Sequence, residues 1–133
     1  MKTKLVDFVG GYASQDDTNA RIKDMYDKTG YVLDTHTAVA SSVYQAYREN
    51  TKDETKTVIA STASPFKFTV SVMKALNMAK EGMDDYQMVD ELSKIANVKI
   101  PNAVEEIKTA PILHNYVCKK DEMVCEVKSF LGI

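Results

Sequence analysis

The chain has 133 residues, 44% hydrophobic and 27% charged, with a formal net charge of -2. That balance excludes a disordered tail and provides none of the basic footprint that nucleic-acid binding needs. No apolar run reaches the roughly 20 residues of a membrane span, and the start, MKTKLVDFVGG, lacks the apolar stretch of a signal peptide, so a cytoplasmic protein is expected.

Helix signals dominate. Ser14 precedes Gln15, Asp16 and Asp17, and acids in a first turn suit the helix dipole. Ile22, Met25 and Tyr26 continue as a stripe and Gly30 is a stop, which predicts a helix over 15–29. Tyr31-Val32-Leu33 is a short apolar step, read as a short strand. Asp34 or Thr35 then caps a second helix over 36–49, with Val39, Val43, Ala46 and Tyr47 at apolar positions. Residues 50–56 are polar and read as a surface loop.

Thr57-Val58-Ile59-Ala60-Ser61 has the composition of a strand buried on both faces. Ser64 and Pro65 follow as N-cap and first residue of a third helix over 65–80, with Phe68, Val72, Leu76 and Ala79 inward and Gly82 as its end. A fourth helix is expected over 83–96, with Tyr86, Val89, Leu92 and Ile95 spaced three apart. A fifth runs over 101–109 between two prolines. A sixth runs over 119–130, with Met123, Val127, Phe130 and Leu131 inward and Gly132 just beyond.

The expected fold class is therefore an α/β fragment, predominantly helical, with five to six helices, one main strand near 57–61 and a short one near 31–33. A lone central strand cannot satisfy its own backbone hydrogen bonds, which points to a piece of a larger protein. Such a piece in isolation could dimerise through the open strand edge. The alternative is an all-helical domain in which 57–61 packs as an extended linker.

The best place for chemistry is the junction Ser61-Thr62-Ala63-Ser64-Pro65-Phe66-Lys67-Phe68, where three hydroxyls meet a helix N-terminus. Hydroxyls can bond a ring heteroatom or a phosphate, and the N-terminus favours an anion. In the bland reading Ser64 only caps the helix and Lys67 is a solvated side chain. The second place is Asp34-Thr35-His36-Thr37, where an imidazole in a first turn beside an acid could act as a base or phosphate contact. Its bland reading is a capped helix start. His114 has no obvious partner, and Cys118 and Cys125, seven apart with no second ligand pair, read as reduced thiols and not as a metal site. No self-contained catalytic constellation is present.

Two of these stretches, Thr29-Gly30-Tyr31-Val32-Leu33-Asp34-Thr35-His36-Thr37-Ala38-Val39 and Val58-Ile59-Ala60-Ser61-Thr62-Ala63-Ser64-Pro65-Phe66-Lys67-Phe68, resemble motifs of threonine synthases in order and spacing. Val98-Lys99-Ile100-Pro101 and Pro111-Ile112-Leu113-His114 resemble the end of the same family. Thr35 and Ser64 depart from it, standing where many members have proline and histidine. The resemblance implies the C-terminal segment of a type II pyridoxal-phosphate lyase of threonine biosynthesis, which converts O-phospho-L-homoserine and water to L-threonine and phosphate. It also implies that a hydroxyl meets the cofactor's pyridine nitrogen, with Thr62 the best match and Ser61 second. His36, Thr37, Ser64 and Lys67 remain substrate-side or structural candidates.

The family's cofactor-carrying lysine and glycine loop are not found, so no catalytic residue is assigned in this segment and the chain alone is expected to be inactive. Its partners would be the missing N-terminal and middle regions and a small-molecule substrate, with no nucleic acid and no membrane. The competing readings are a freestanding helical interaction domain built on this fold, and another type II enzyme such as a dehydratase, against which both motifs speak.

Overall fold

The computed structural model describes residue 5 and residues 7–133, so part of the N-terminal stretch read above for a signal peptide lies outside the described residues. Six α-helices follow in order: α1 Gln15–Thr29, α2 Thr35–Thr51, α3 Thr69–Ala75, α4 Asp85–Ala96, α5 Asn102–Thr109 and α6 Met123–Leu131. Tighter 3-10 turns, Pro65–Phe68 and Lys120–Glu122, lead into α3 and α6.

Their ends follow local chemistry. Ser14 and Asp17 form a reciprocal capping box at the start of α1, and Gly30 closes it in the left-handed conformation at φ 73°. Asp84 and Gln87 form the same box on α4, which Asn97 ends at φ 50°. Asp34 caps α2, and Lys52 ends it at φ 59°.

The core is built by α1 to α4. α1 packs on α2 and α3, and α3 packs on α4. Ile22, Ala38, Val72, Met73, Leu76 and Leu92 are essentially out of solvent, joined by Val32, Leu33, Phe66, Met88 and Val89. Each of these side chains other than Ala38 contributes about 1.5–3 kcal/mol through removal of apolar surface from water. Arg21 ties the first two helices together: its Nε donates to the buried Ser41 Oγ at 2.8 Å, and its Nη1 pairs with Asp24 at 2.8 Å. Before α1 the chain passes so close to α2 that a Cβ on Gly11 would stand 2.6 Å from Val43 Cγ1, a separation only glycine tolerates without a shift.

The α/β expectation is corrected here. Among the described residues there is no strand and no sheet. The step 31–33 is an extended link that drops Val32 and Leu33 into the core while Tyr31 stays outside. The run 57–61 is extended but its backbone pairs with no described residue, and Val58 is 94% exposed. β-branched composition makes an extended backbone favourable, yet a ladder needs a second segment hydrogen-bonded to the first, and among the described residues none is bonded to this one. The strand edge invoked for self-association is therefore not present among the described residues.

Smaller corrections concern faces. The long third helix expected over 65–80 is a 3-10 turn plus a seven-residue helix, and it ends near Asn77 (φ 59°) rather than at Gly82. Phe66, not Phe68, is the buried aromatic. In α4, Tyr86 faces solvent and Met88 takes the inward place. α5 and α6 bury no residue, so Met123, Val127, Phe130 and Leu131 lie outside the core that was expected to hold them.

Candidate functional site

α2 and the segment after it set the site's geometry. A helix of 17 residues is about 25 Å long. At its end the chain reverses around Asp53, whose carboxylate accepts from Tyr47 Oη at 3.0 Å and from the Thr55 amide at 2.9 Å. Arg48 Nε donates to the Asp53 carbonyl at 3.3 Å. An extended stretch from 53 to 61 reaches roughly 30 Å, enough to run back alongside α2 to its start. Thr57, Val58, Ile59 and Ala60 accordingly share an open cleft with Val39, Val43 and Tyr47 of that helix.

Ser61 thus arrives at the N-terminus of α2, and the two regions singled out in the sequence meet. The hub is Asp34, 2% exposed. Its Oδ1 accepts the His36 amide at 2.8 Å and the Thr37 amide at 3.2 Å. Its Oδ2 accepts the Thr37 hydroxyl and, at 3.3 Å, the Ser61 hydroxyl. Thr37 Oγ1 and Ser61 Oγ are 2.8 Å apart. Burial pushes the Asp34 carboxyl pKa up, but the Thr37 hydroxyl and amide, the His36 amide and the Ser61 hydroxyl together bring it below its ordinary value. The carboxylate is ionised at neutral pH.

Around the hub, His36 is exposed, its Nδ1 3.6 Å from Asp34 Oδ1 and its ring centroid 4.9 Å from that of Phe68. Lys67 is exposed, with Nζ 5.5 Å from the Phe68 ring centre. Ser64 caps the 3-10 turn, its Oγ accepting the Phe66 amide at 3.3 Å. Thr62 is exposed, and its hydroxyl bonds to no described residue. Ser61, Thr62, His36 and Lys67 therefore share one end of the molecule, while Thr37 and Ser64 are engaged in holding it together. His114 is exposed and lies outside this cluster, as do the free thiols of Cys118 and Cys125. No group of three or more His, Cys, Asp or Glu among the described residues could hold a metal. No helix among them is long and apolar enough to cross a membrane.

The sequence marks Asp34 as a cap and gives no sign of its role as the junction. Its cap role is local and legible, but its bond to Ser61 spans 27 positions and becomes visible only once the return of the chain along α2 is known. The signal present was the density of hydroxyls in two short stretches.

A family model described as "Threonine synthase, C-terminal" matches residues 37–115. The chain belongs to this family. The match takes in Thr37 and the whole of 61–68, while Asp34 and His36 stand just before it. Threonine synthase of Schizosaccharomyces pombe is 41% identical over 81 residues, 60% of this chain and 15% of that protein. Threonine synthase-like 1 of Homo sapiens is 38% identical over 72 residues, 54% of this chain and 9% of that protein. Its Mus musculus counterpart is 29% identical over 117 residues, 86% of this chain and 15% of its own length. The matched regions are thus at most 15% of the length of these relatives. No solved structure matches the chain.

Proposed function

We propose that this chain is the C-terminal segment of a cytoplasmic pyridoxal-phosphate lyase that converts O-phospho-L-homoserine and water to L-threonine and phosphate. The observation that supports this most is the placement of Thr62: within the family match, at the end of an extended segment pinned by Asp34, exposed and with its hydroxyl uncommitted. A neutral hydroxyl there fits one contact of the cofactor, the pyridine nitrogen, which it leaves unprotonated. When bound, pyridoxal phosphate supplies an electron sink whose strength its ring-nitrogen partner tunes, weaker with a hydroxyl than with an acid.

The remaining parts of this chain hold and orient. Asp34 and Thr37 hold the Ser61 hydroxyl before Thr62, and Ser64 caps the turn after it. His36 and Lys67, both exposed on the same side, are the groups available to an anionic substrate. Lys67 is not assigned as the lysine that carries the cofactor. That lysine and the phosphate-binding glycine loop are expected in the upstream regions, so the isolated chain is inactive.

A second reading, a freestanding helical interaction domain, is favoured by one observation: α1 to α4 close a core of their own, and every buried side-chain nitrogen and oxygen among the described residues has a partner. One cofactor titration separates the readings. The full-length protein is expected to hold pyridoxal phosphate stoichiometrically, the isolated chain to hold none, and full-length Thr62→Val to keep its fold and lose turnover. A stoichiometric cofactor band on the isolated chain, or unchanged turnover in Thr62→Val, overturns the proposal. A native product no longer than this chain establishes the freestanding domain.

A further inference from the structure

The hydroxyl protons around Asp34 can be counted. Thr37 has one, and it goes to Asp34 Oδ2. In the 2.8 Å contact between Thr37 Oγ1 and Ser61 Oγ, Thr37 has no proton left to give, so Ser61 donates. Ser61 carries one proton as well, and of its three acceptors Thr37 Oγ1 at 2.8 Å is nearer than Asp34 Oδ2 at 3.3 Å and the Ala63 carbonyl at 3.5 Å, so the proton goes toward Asp34. The order is Ser61 to Thr37 to carboxylate. What Ser61 can offer to anything beyond the network is a lone pair. Charge-assisted bonds of this kind are short and strong, and a buried carboxylate that lost a donor would incur a desolvation cost, so the direction is fixed by the charge at its inner end.

The adjacent residue is the reverse case. Side chains alternate along an extended backbone, so when Ser61 faces α2, Thr62 faces away from it. Its hydroxyl is exposed and bonds to no described residue. An acceptor therefore finds a donor at Thr62 and finds none at Ser61.

We propose that Asp34 is a positioning residue that orients the hydroxyls at the end of this segment: it draws the Ser61 proton inward through Thr37, and so leaves Thr62 as the single hydroxyl donor presented to the cofactor's ring nitrogen. This rests on the functional reading above and adds to it a residue outside the family match together with a direction for each bond. It also separates Thr62 from Ser61, two hydroxyls that the family resemblance ranks only as first and second.

The test uses the full-length protein loaded with pyridoxal phosphate carrying an isotope-labelled ring nitrogen, whose NMR shift reports what that nitrogen bonds. In the unaltered protein the shift should be that of an unprotonated nitrogen accepting one hydrogen bond, and Thr62→Val should move it. Asp34→Asn keeps one carbonyl oxygen for the α2 amides but puts an NH2 donor where Oδ2 was. It should reverse the network, turn the Ser61 proton outward and move the ring-nitrogen signal with cofactor stoichiometry unchanged. Turnover number should fall about tenfold, with KM little altered.

Ser61→Ala leaves the cap of α2 intact and cuts the link alone. It should shift the signal less than Asp34→Asn does, and it serves as the decisive variant if Asp34→Asn fails to fold. If Thr62→Val moves the signal and neither Asp34→Asn nor Ser61→Ala does, the positioning role of Asp34 is overturned and the functional reading stands. If Thr62→Val leaves the signal in place, the functional reading falls and takes this inference with it.

Discussion

α4 and α6 have much the same design. Each is a short amphipathic helix with apolar residues at helical spacing, a charged opposite face and a positive-φ residue closing its end, Asn97 in one and Gly132 in the other. Their fates differ. α4 buries Met88, Val89 and Leu92 against α3, whereas α6 buries nothing and leaves Phe130 90% exposed. Amphipathic spacing shows that a helix has a face to cover. It does not show what covers it, because that depends on whether another element arrives at the right place. Asp84 and Gln87 start α4 within reach of α3, while α6 follows an extended run from 110 to 119 that touches little.

The largest way to break this comparison is in α4. Leu92→Ala should cost about 2–5 kcal/mol, the transfer of a buried side chain plus the cavity left behind, read by denaturant unfolding of the chain. A loss below about 1 kcal/mol would mean that the α3–α4 contact is not part of the cooperative core.

A middle-sized effect sits at the start of α2. Asp34→Asn should destabilise the chain at neutral pH by about 1–2 kcal/mol. The sign with pH follows from the carboxyl, which lies below its ordinary value of 3.8 in the folded chain. Its stabilisation is complete above that value and is lost as pH falls through the lower folded value. The gap between the two proteins should therefore close in acid. A gap that is constant from neutral pH down through that range would remove the ionised carboxylate as its cause.

At the small end, Phe130→Ala on α6 should change the stability of the isolated chain by no more than about 0.5 kcal/mol. A loss comparable with that of Leu92→Ala would show that α6 packs on the core in solution and erase the contrast.

The same contrast explains what could be read from the sequence. Helix starts and stops were legible because they are local: Ser14, Asp34, Gly30 and Pro101 act within three or four positions of themselves. α3 was drawn too long because the sequence offered Gly82 as a stop, and Asn77, which also tolerates positive φ, closes the helix earlier. The 57–61 strand was misread because composition reports a preference for extended backbone, while a sheet is a property of two segments. At the site, the hydroxyl-rich stretches were visible and the juxtaposition of Asp34 with Ser61 was not, since it depends on the path of the 26 residues between them and on nothing local to either.

The return of the chain along α2 also acts as a ruler. Seventeen helical residues going out are matched by a much shorter extended run coming back, and the side on which each returning side chain lands alternates with every residue. Deleting one residue between 54 and 60 would therefore do more than draw the end back by roughly 3.3 Å. It would exchange the faces of Ser61 and Thr62, turning the tethered hydroxyl outward and the free one toward α2. Changes of length are tolerable on the far side of Asp53, where the chain reverses, and a pair of residues is a gentler insertion in the run itself than a single one.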